Sequence, residues 1–178
     1  TVAPPGNVFA LDARTGERRW TFESLPPALA PKTGTANVWA SMSYDAERDL
    51  LFLPVSSPSA NFYGGNRLEP MPLVTSVTAL VASTGQIAWS RQLVHHDLWD
   101  YDTNAAPTLV DIERGGERIP ALVQTSKQGF LYVLNRATGE PIYPIEERAV
   151  PASTVPGERA APTQPYVALP RPVVEDRW

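Results

Sequence analysis

Ala10-Leu11-Asp12-Ala13-Arg14-Thr15-Gly16-Glu17-Arg18-Arg19-Trp20 returns twice along the chain. It reappears as Ala79-Leu80-Val81-Ala82-Ser83-Thr84-Gly85-Gln86-Ile87-Ala88-Trp89, then as Val133-Leu134-Asn135-Arg136-Ala137-Thr138-Gly139-Glu140-Pro141-Ile142-Tyr143. Each copy runs from an apolar, β-rich segment through a Thr-Gly turn to an aromatic residue four positions past the glycine. One supersecondary unit is being reused, and a repeat of this kind points to a solenoid or propeller. The glycines at 16, 85 and 139 stand farther apart than the ~40–50 residues of simple propeller blades, which long loops explain.

Two further strand-like runs precede the second and third copies, giving four short antiparallel strands per unit, here named A to D. In the second unit, A falls near 38–44, B near 50–55, C near 76–82 and D near 86–92. In the third, A falls near 107–112, B near 119–125, C near 130–135 and D near 141–145. The first unit has only C and D, near 8–11 and 18–22. The expected fold is all-β: a partial β-propeller of about two and a half four-stranded antiparallel blades. Residues 1–148 form the blades, with 1–24 holding the first C and D strands, 37–93 the second blade and 105–148 the third. From 149 to 178 the prolines at 151, 156, 162, 165, 170 and 172 predict an extended excursion or the start of a next blade rather than a regular strand or helix. Two and a half blades cannot close a ring, so the open edges require further blades of the same polypeptide.

Composition narrows the function. The 178 residues carry a net charge of −4 and are 43% hydrophobic, with no run long enough to span a bilayer, and Thr1 to Gly6 do not read as a signal peptide. Without a Lys/Arg cluster there is no nucleic-acid footprint. Without cysteine there is no disulfide, thiolate metal site or thiol nucleophile.

Strand parity then sorts the loops. In an up-and-down blade the B–C and D–A loops share one face and the A–B and C–D turns share the other. The Thr-Gly turns therefore lie opposite residues 56–75, 93–106 and 126–129, and long irregular loops are where binding residues concentrate. On that loop face, Val94-His95-His96-Asp97-Leu98-Trp99-Asp100-Tyr101-Asp102 joins both histidines to three carboxylates and two aromatics. A carboxylate flanked by rings, such as Asp100, suits a general base, although loop aspartates commonly cap turns. Adjacent His95, His96 and Asp97 point in different directions, which argues against a zinc site. One histidine is expected to bond a neighbouring blade while the other faces solvent. Lys127 sits on the same face at a B–C turn, where a lone lysine is ordinarily a solvated charge. Trp39 sits there at the start of strand A, where a propeller tryptophan is ordinarily a packing anchor. The 56–66 loop supplies hydroxyl and amide oxygens of the kind that suit Ca²⁺ or Mg²⁺.

These features together resemble the quinoprotein dehydrogenases that use pyrroloquinoline quinone, in particular their membrane-bound glucose dehydrogenase branch. The repeats are similar to that family's tryptophan-docking motifs. His95-His96-Asp97-Leu98-Trp99-Asp100, Tyr63-Gly64-Gly65-Asn66-Arg67 and Pro162-Thr163-Gln164-Pro165-Tyr166 match branch segments. The resemblance implies an eight-bladed propeller of which this chain is a piece. It makes Asp100 the catalytic base, Lys127 the residue that contacts the quinone oxygens and Trp39 the indole that stacks on the cofactor. It also implies a Ca²⁺ or Mg²⁺ ion, with Ser59 at the position of a metal-binding Asn and Asn61 two residues later as the substitute ligand. The implied reaction oxidises a sugar or polyol, most simply glucose to gluconolactone, on the periplasmic face of a bacterial inner membrane with ubiquinone as acceptor. A quinate or shikimate dehydrogenase and a noncatalytic propeller scaffold are the rivals, and the isolated segment is expected to be inactive.

Overall fold

The structure is a computed structural model that describes residues 3–29 and 31–174. Among the described residues, eleven strands and one short 3₁₀ turn (27–29) make up the regular structure. Strands β1 (Val8–Leu11) and β2 (Arg18–Phe22) form a two-stranded antiparallel sheet. Next come β3 (Ser43–Asp45), β4 (Leu50–Val55), β5 (Ser76–Val81) and β6 (Ile87–Gln92), a four-stranded meander in that order. Strands β7 (Thr108–Arg114), β8 (Glu117–Thr125) and β9 (Leu131–Asn135) form a third sheet, and β10 (Ile145–Ala149) pairs with β11 (Thr163–Val167). The all-β partial propeller read from the repeats is the architecture observed.

Alternation along the strands builds the two cores. Leu50 and Phe52 of β4 and Val77 and Ala79 of β5 turn toward Leu122, Tyr132 and Leu134 of the third sheet. Leu53 and Val55, one residue out of phase, turn toward Phe22 of the first sheet and Leu25 and Leu29 of the segment that follows it. The middle sheet is thus apolar on both faces, as a blade packed between two others must be.

Each blade clasps the next through the repeat. Thr84 Oγ1 accepts from Gln86 N, and Thr138 Oγ1 from Glu140 N, while Gly85 and Gly139 take positive φ values of 76° and 75°. Trp20 lays its ring on the first of these turns and donates Nε1–H to Ala82 O at 2.8 Å. Trp89 does the same on the second, to Arg136 O at 3.1 Å. A Cβ on either glycine would fall 2.6 Å from the indole, so only glycine admits the contact. Arg136 adds an ionic bolt, reaching Asp45 at 2.7 Å and Asp111 at 2.8 Å across two sheets.

Three strand expectations shift. Pairing of the first strand in the middle sheet begins at Ser43, opposite Phe52, not at residue 38. Continuing that register would bring residue 41 opposite Pro54, which has no N–H to donate. Residues 38–42 therefore leave the ladder, and the backbone rejoins it where Asn37 O accepts from Ser56 N. The last strand of the third unit shrinks to a bridge between Leu134 and Pro141, and the chain crosses to β10. The proline-rich stretch does contain a strand, β11. It is a two-stranded edge on which Pro165, opposite Glu147, has no second neighbour to serve.

Candidate active site

Ser57 and Asn61 lie on the loop after β4, Asp100 and Asp102 on the loop after β6, and Lys127 on the turn after β8. All three loops leave the end opposite the Thr-Gly turns, and their side chains meet. Lys127 Nζ stands 2.7 Å from both Asp100 Oδ2 and Asp102 Oδ2. Ser57 Oγ is 2.9 Å from Asp100 Oδ1 and 2.8 Å from Asp102 Oδ1, and Ser57 N donates to the latter at 2.8 Å. Asn61 Nδ2 completes the set, 2.6 Å from Asp100 Oδ1.

Burial raises the Asp100 carboxyl, but hydrogen bonds from Lys127, Ser57 and Asn61 together outweigh it and leave the group below its ordinary value. Burial likewise lowers the Lys127 ammonium, and the two carboxylates more than reverse this. The result is a half-buried ionised carboxylate beside an ammonium that reaches it from the exposed side.

The loop that carries Asp100 is held from beneath. Asp97, 1% exposed, accepts Trp99 N at 2.8 Å on one oxygen and Tyr101 N and Thr75 Oγ1, at 2.9 and 3.1 Å, on the other. Those amides flank Asp100, which itself has a φ of 62°, an uncommon left-handed setting for aspartate. From the side, Gln164 of β11 pairs with both His95 N and His95 O at 2.8 and 2.6 Å. Gly64 lets the loop after β4 approach: a Cβ there would sit 2.3 Å from Leu98 Cδ2.

Of the sequence candidates, Asp100, Lys127 and Asn61 are brought together. Ser59 is not: it is buried, its Oγ accepts Gly34 N at 3.0 Å and its carbonyl accepts the Thr33 hydroxyl. Trp39 rides the 38–42 excursion at the same end and is 55% exposed. His95 bonds Gln92 and, on the neighbouring β10, Glu147, as expected. His96 is half-buried rather than turned to solvent: its Nε2 is buried without a hydrogen-bond partner, and burial lowers its pKa. No cluster of three or more His, Cys, Asp or Glu arranged for a metal occurs among the described residues. Sequence reasoning passed over Ser57 and Asp102. The Asp100-Tyr101-Asp102 run, two carboxylates one residue apart on the same loop, was the available signal for Asp102.

Residues 1–177 match the PQQ family of glucose/ethanol/alcohol dehydrogenase β-propeller domains. The chain belongs to that family. It is 39% identical over 173 residues to the quinoprotein glucose dehydrogenase of Escherichia coli, covering 92% of this chain and 22% of that protein. It is 40% identical over 172 residues to the quinate/shikimate dehydrogenase (quinone) of Acinetobacter baylyi, covering 91% and 21%. Among solved structures, quinohemoprotein alcohol dehydrogenase from Comamonas testosteroni superposes with a TM-score of 0.67 at 26% identity, over 90% of this chain and 27% of that one. A europium-containing methanol dehydrogenase gives 0.64 at 27% identity, over 78% and 30%. The chain therefore spans about a fifth to a quarter of the curated relatives it matches. These PQQ relatives make oxidoreductase chemistry the family's trade.

Proposed function

We propose that the whole protein is a pyrroloquinoline quinone-dependent dehydrogenase that oxidises a sugar or polyol, glucose to gluconolactone first among them, with Asp100 as the base. The observation that carries this reading is the Asp100 carboxylate, kept ionised by Lys127, Ser57 and Asn61 at the meeting of three loops. A scaffold has no use for an ammonium and two carboxylates so arranged.

The donor set fits the cofactors. Asn61, Asp100 and Asp102 are hard oxygen ligands of the kind Ca²⁺ or Mg²⁺ takes, and Asn61 rather than Ser59 has a side chain free of the backbone to serve. The exposed Trp39 indole offers a flat apolar surface to a planar cofactor. Bound quinone supplies the acceptor for the two electrons of the alcohol, and the cation supplies Lewis acidity. The chain's own residues handle the proton. Asp100 takes it from the substrate hydroxyl, exchanging one of its present hydrogen bonds for the new one. Lys127, shared with Asp102, keeps the waiting carboxylate charged, and its ammonium is placed to stabilise negative charge developing beside Asp100.

A quinate or shikimate substrate is supported by the 40% identity to the Acinetobacter baylyi enzyme. Electron delivery to ubiquinone and a place on the periplasmic face of the inner membrane belong to the same proposal. No helix among the described residues is long and apolar enough to cross a membrane. Full-length protein reconstituted with pyrroloquinoline quinone and Ca²⁺, assayed on glucose, glycerol and quinate with a ubiquinone analogue, separates the substrates. Asp100→Asn should abolish turnover while cofactor binding persists; turnover at the wild-type rate would sink the assignment.

A further inference from the structure

Arg67 has no exposed surface and ranks first by size among the fully buried side chains. Its Nη2 donates to two carbonyls from different loops: Ala60 O at 3.0 Å and Asp97 O at 2.7 Å. Ala60 immediately precedes Asn61, and Asp97 is the residue whose carboxylate holds the amides on either side of Asp100. One guanidinium nitrogen therefore spans the loop that presents Asn61 and the loop that presents Asp100.

The rest of the side chain is hard to explain by stability. Its Nε and Nη1 are buried with no hydrogen-bond partner, and the Asp97 and Glu158 carboxylates act on it only through space. Charge buried without a bonded counter-ion is commonly matched or bettered by an apolar side chain of the same size. What an apolar side chain could not do is hold two carbonyls at one point. Gly64, whose added Cβ would collide with Leu98 at 2.3 Å and only touch Arg67 Nη1 at 3.5 Å, lets the two loops that Arg67 joins come together.

We propose that Arg67 is a positioning residue, which fixes the Ala60 and Asp97 carbonyls against each other and so sets the Asn61 amide against the Asp100 carboxylate. The inference rests on the reading of Asp100 as the base. Misplacing a reacting group by about 1 Å costs on the order of 100-fold in rate.

Full-length holoenzyme, reconstituted with pyrroloquinoline quinone and Ca²⁺ and assayed on whichever of glucose or quinate the wild type oxidises, supplies the test. Arg67→Met should keep its fold by circular dichroism and lose about 10- to 100-fold in kcat with KM little changed. Arg67→Lys, whose ammonium can approach both carbonyls, should recover part of the loss. In the apoprotein, Arg67→Met should speed amide exchange at Trp99 and Tyr101. Wild-type kcat in a folded Arg67→Met, or a loss confined to KM, overturns the proposal. If Arg67→Met does not fold, Arg67→Lys decides, with slower turnover and faster exchange at those amides expected and wild-type values of both overturning it. Asp100→Asn is measured in parallel: if it retains turnover the base assignment fails, whereas an inactive Asp100→Asn beside a fully active Arg67→Met defeats only the role of Arg67.

Discussion

Replacing Gly139 by alanine should destabilise the protein through two separable effects. The backbone there has φ 75°, a left-handed setting that costs an L-residue about 1–2 kcal/mol. The added Cβ would lie 2.6 Å from Trp89 Cε3 and 2.7 Å from Cδ2, inside the van der Waals contact of a ring that also packs on Phe52. Forcing such an overlap in a packed interface typically costs a further 1–3 kcal/mol or so, which brings the total to about 2–5 kcal/mol. Gly116 isolates the first effect. It sits in the β7–β8 hairpin at φ 81° with nothing within 4 Å of an added methyl group, so Gly116→Ala should cost only the backbone share, about 1–2 kcal/mol.

Thermal and urea unfolding of the two variants, with Trp89→Leu in a double-mutant cycle, measures the difference. Trimming the indole removes the overlap, so Gly139→Ala should cost less in the Trp89→Leu background than in wild type, a coupling of about 1 kcal/mol or more. Equal destabilisation by Gly139→Ala and Gly116→Ala, with no coupling to Trp89, would refute the idea that the repeat is a docking device.

Four further outcomes follow from the site. Asp100, held below its ordinary value of 3.8, contributes stability that is complete above that pH and is lost as pH falls through the lower folded value. Lys127→Met leaves Asp100 and Asp102 as unneutralised like charges on one serine, so the Asp100 carboxyl rises and the acid limb of kcat/KM moves to higher pH; an unmoved limb would contradict the pairing. Gln164→Ala, which leaves the backbone of His95 without its two bonds, should cost about 1–3 kcal/mol and open residues 150–163 to limited proteolysis. Gly64→Ala should lower turnover more than it lowers the melting temperature of the blades, since its Cβ strikes Leu98 in the loop that carries Asp100.

The sequence announced the blades because their signals are local and repeated: a Thr hydroxyl bonding two residues ahead, a glycine at positive φ, and alternation along short strands. It misled where one residue governed a neighbour distant in sequence. Pro54 shortened a strand that starts at Ser43, and an edge position made Pro165 acceptable in β11. The meeting of Asp100 with Lys127 followed from strand parity alone. Ser57 and Asp102 did not, since their bonds to one another span 45 positions and a lone loop serine carries no signal. The burial of His96 Nε2 beside Arg67 was equally illegible, being a product of how three loops pack.

The two ends of the blades are nevertheless mechanically joined. Asp100 lies on the segment that leaves the middle sheet for the third, while Ser57 and Asn61 belong to the middle sheet's own loop and Lys127 to a turn of the third. The distances of 2.6–2.9 Å among these groups therefore hold only while the two sheets keep one relative orientation. At the far end that orientation is set by Trp89 on Gly139 and by Arg136 bridging Asp45 and Asp111. Because packed interfaces move as units rather than deforming locally, a disturbance of the docking turn is expected to reach the carboxylates. Gly139→Ala should accordingly lower kcat as well as stability, and Gly116→Ala, which touches no second blade, should leave kcat unchanged.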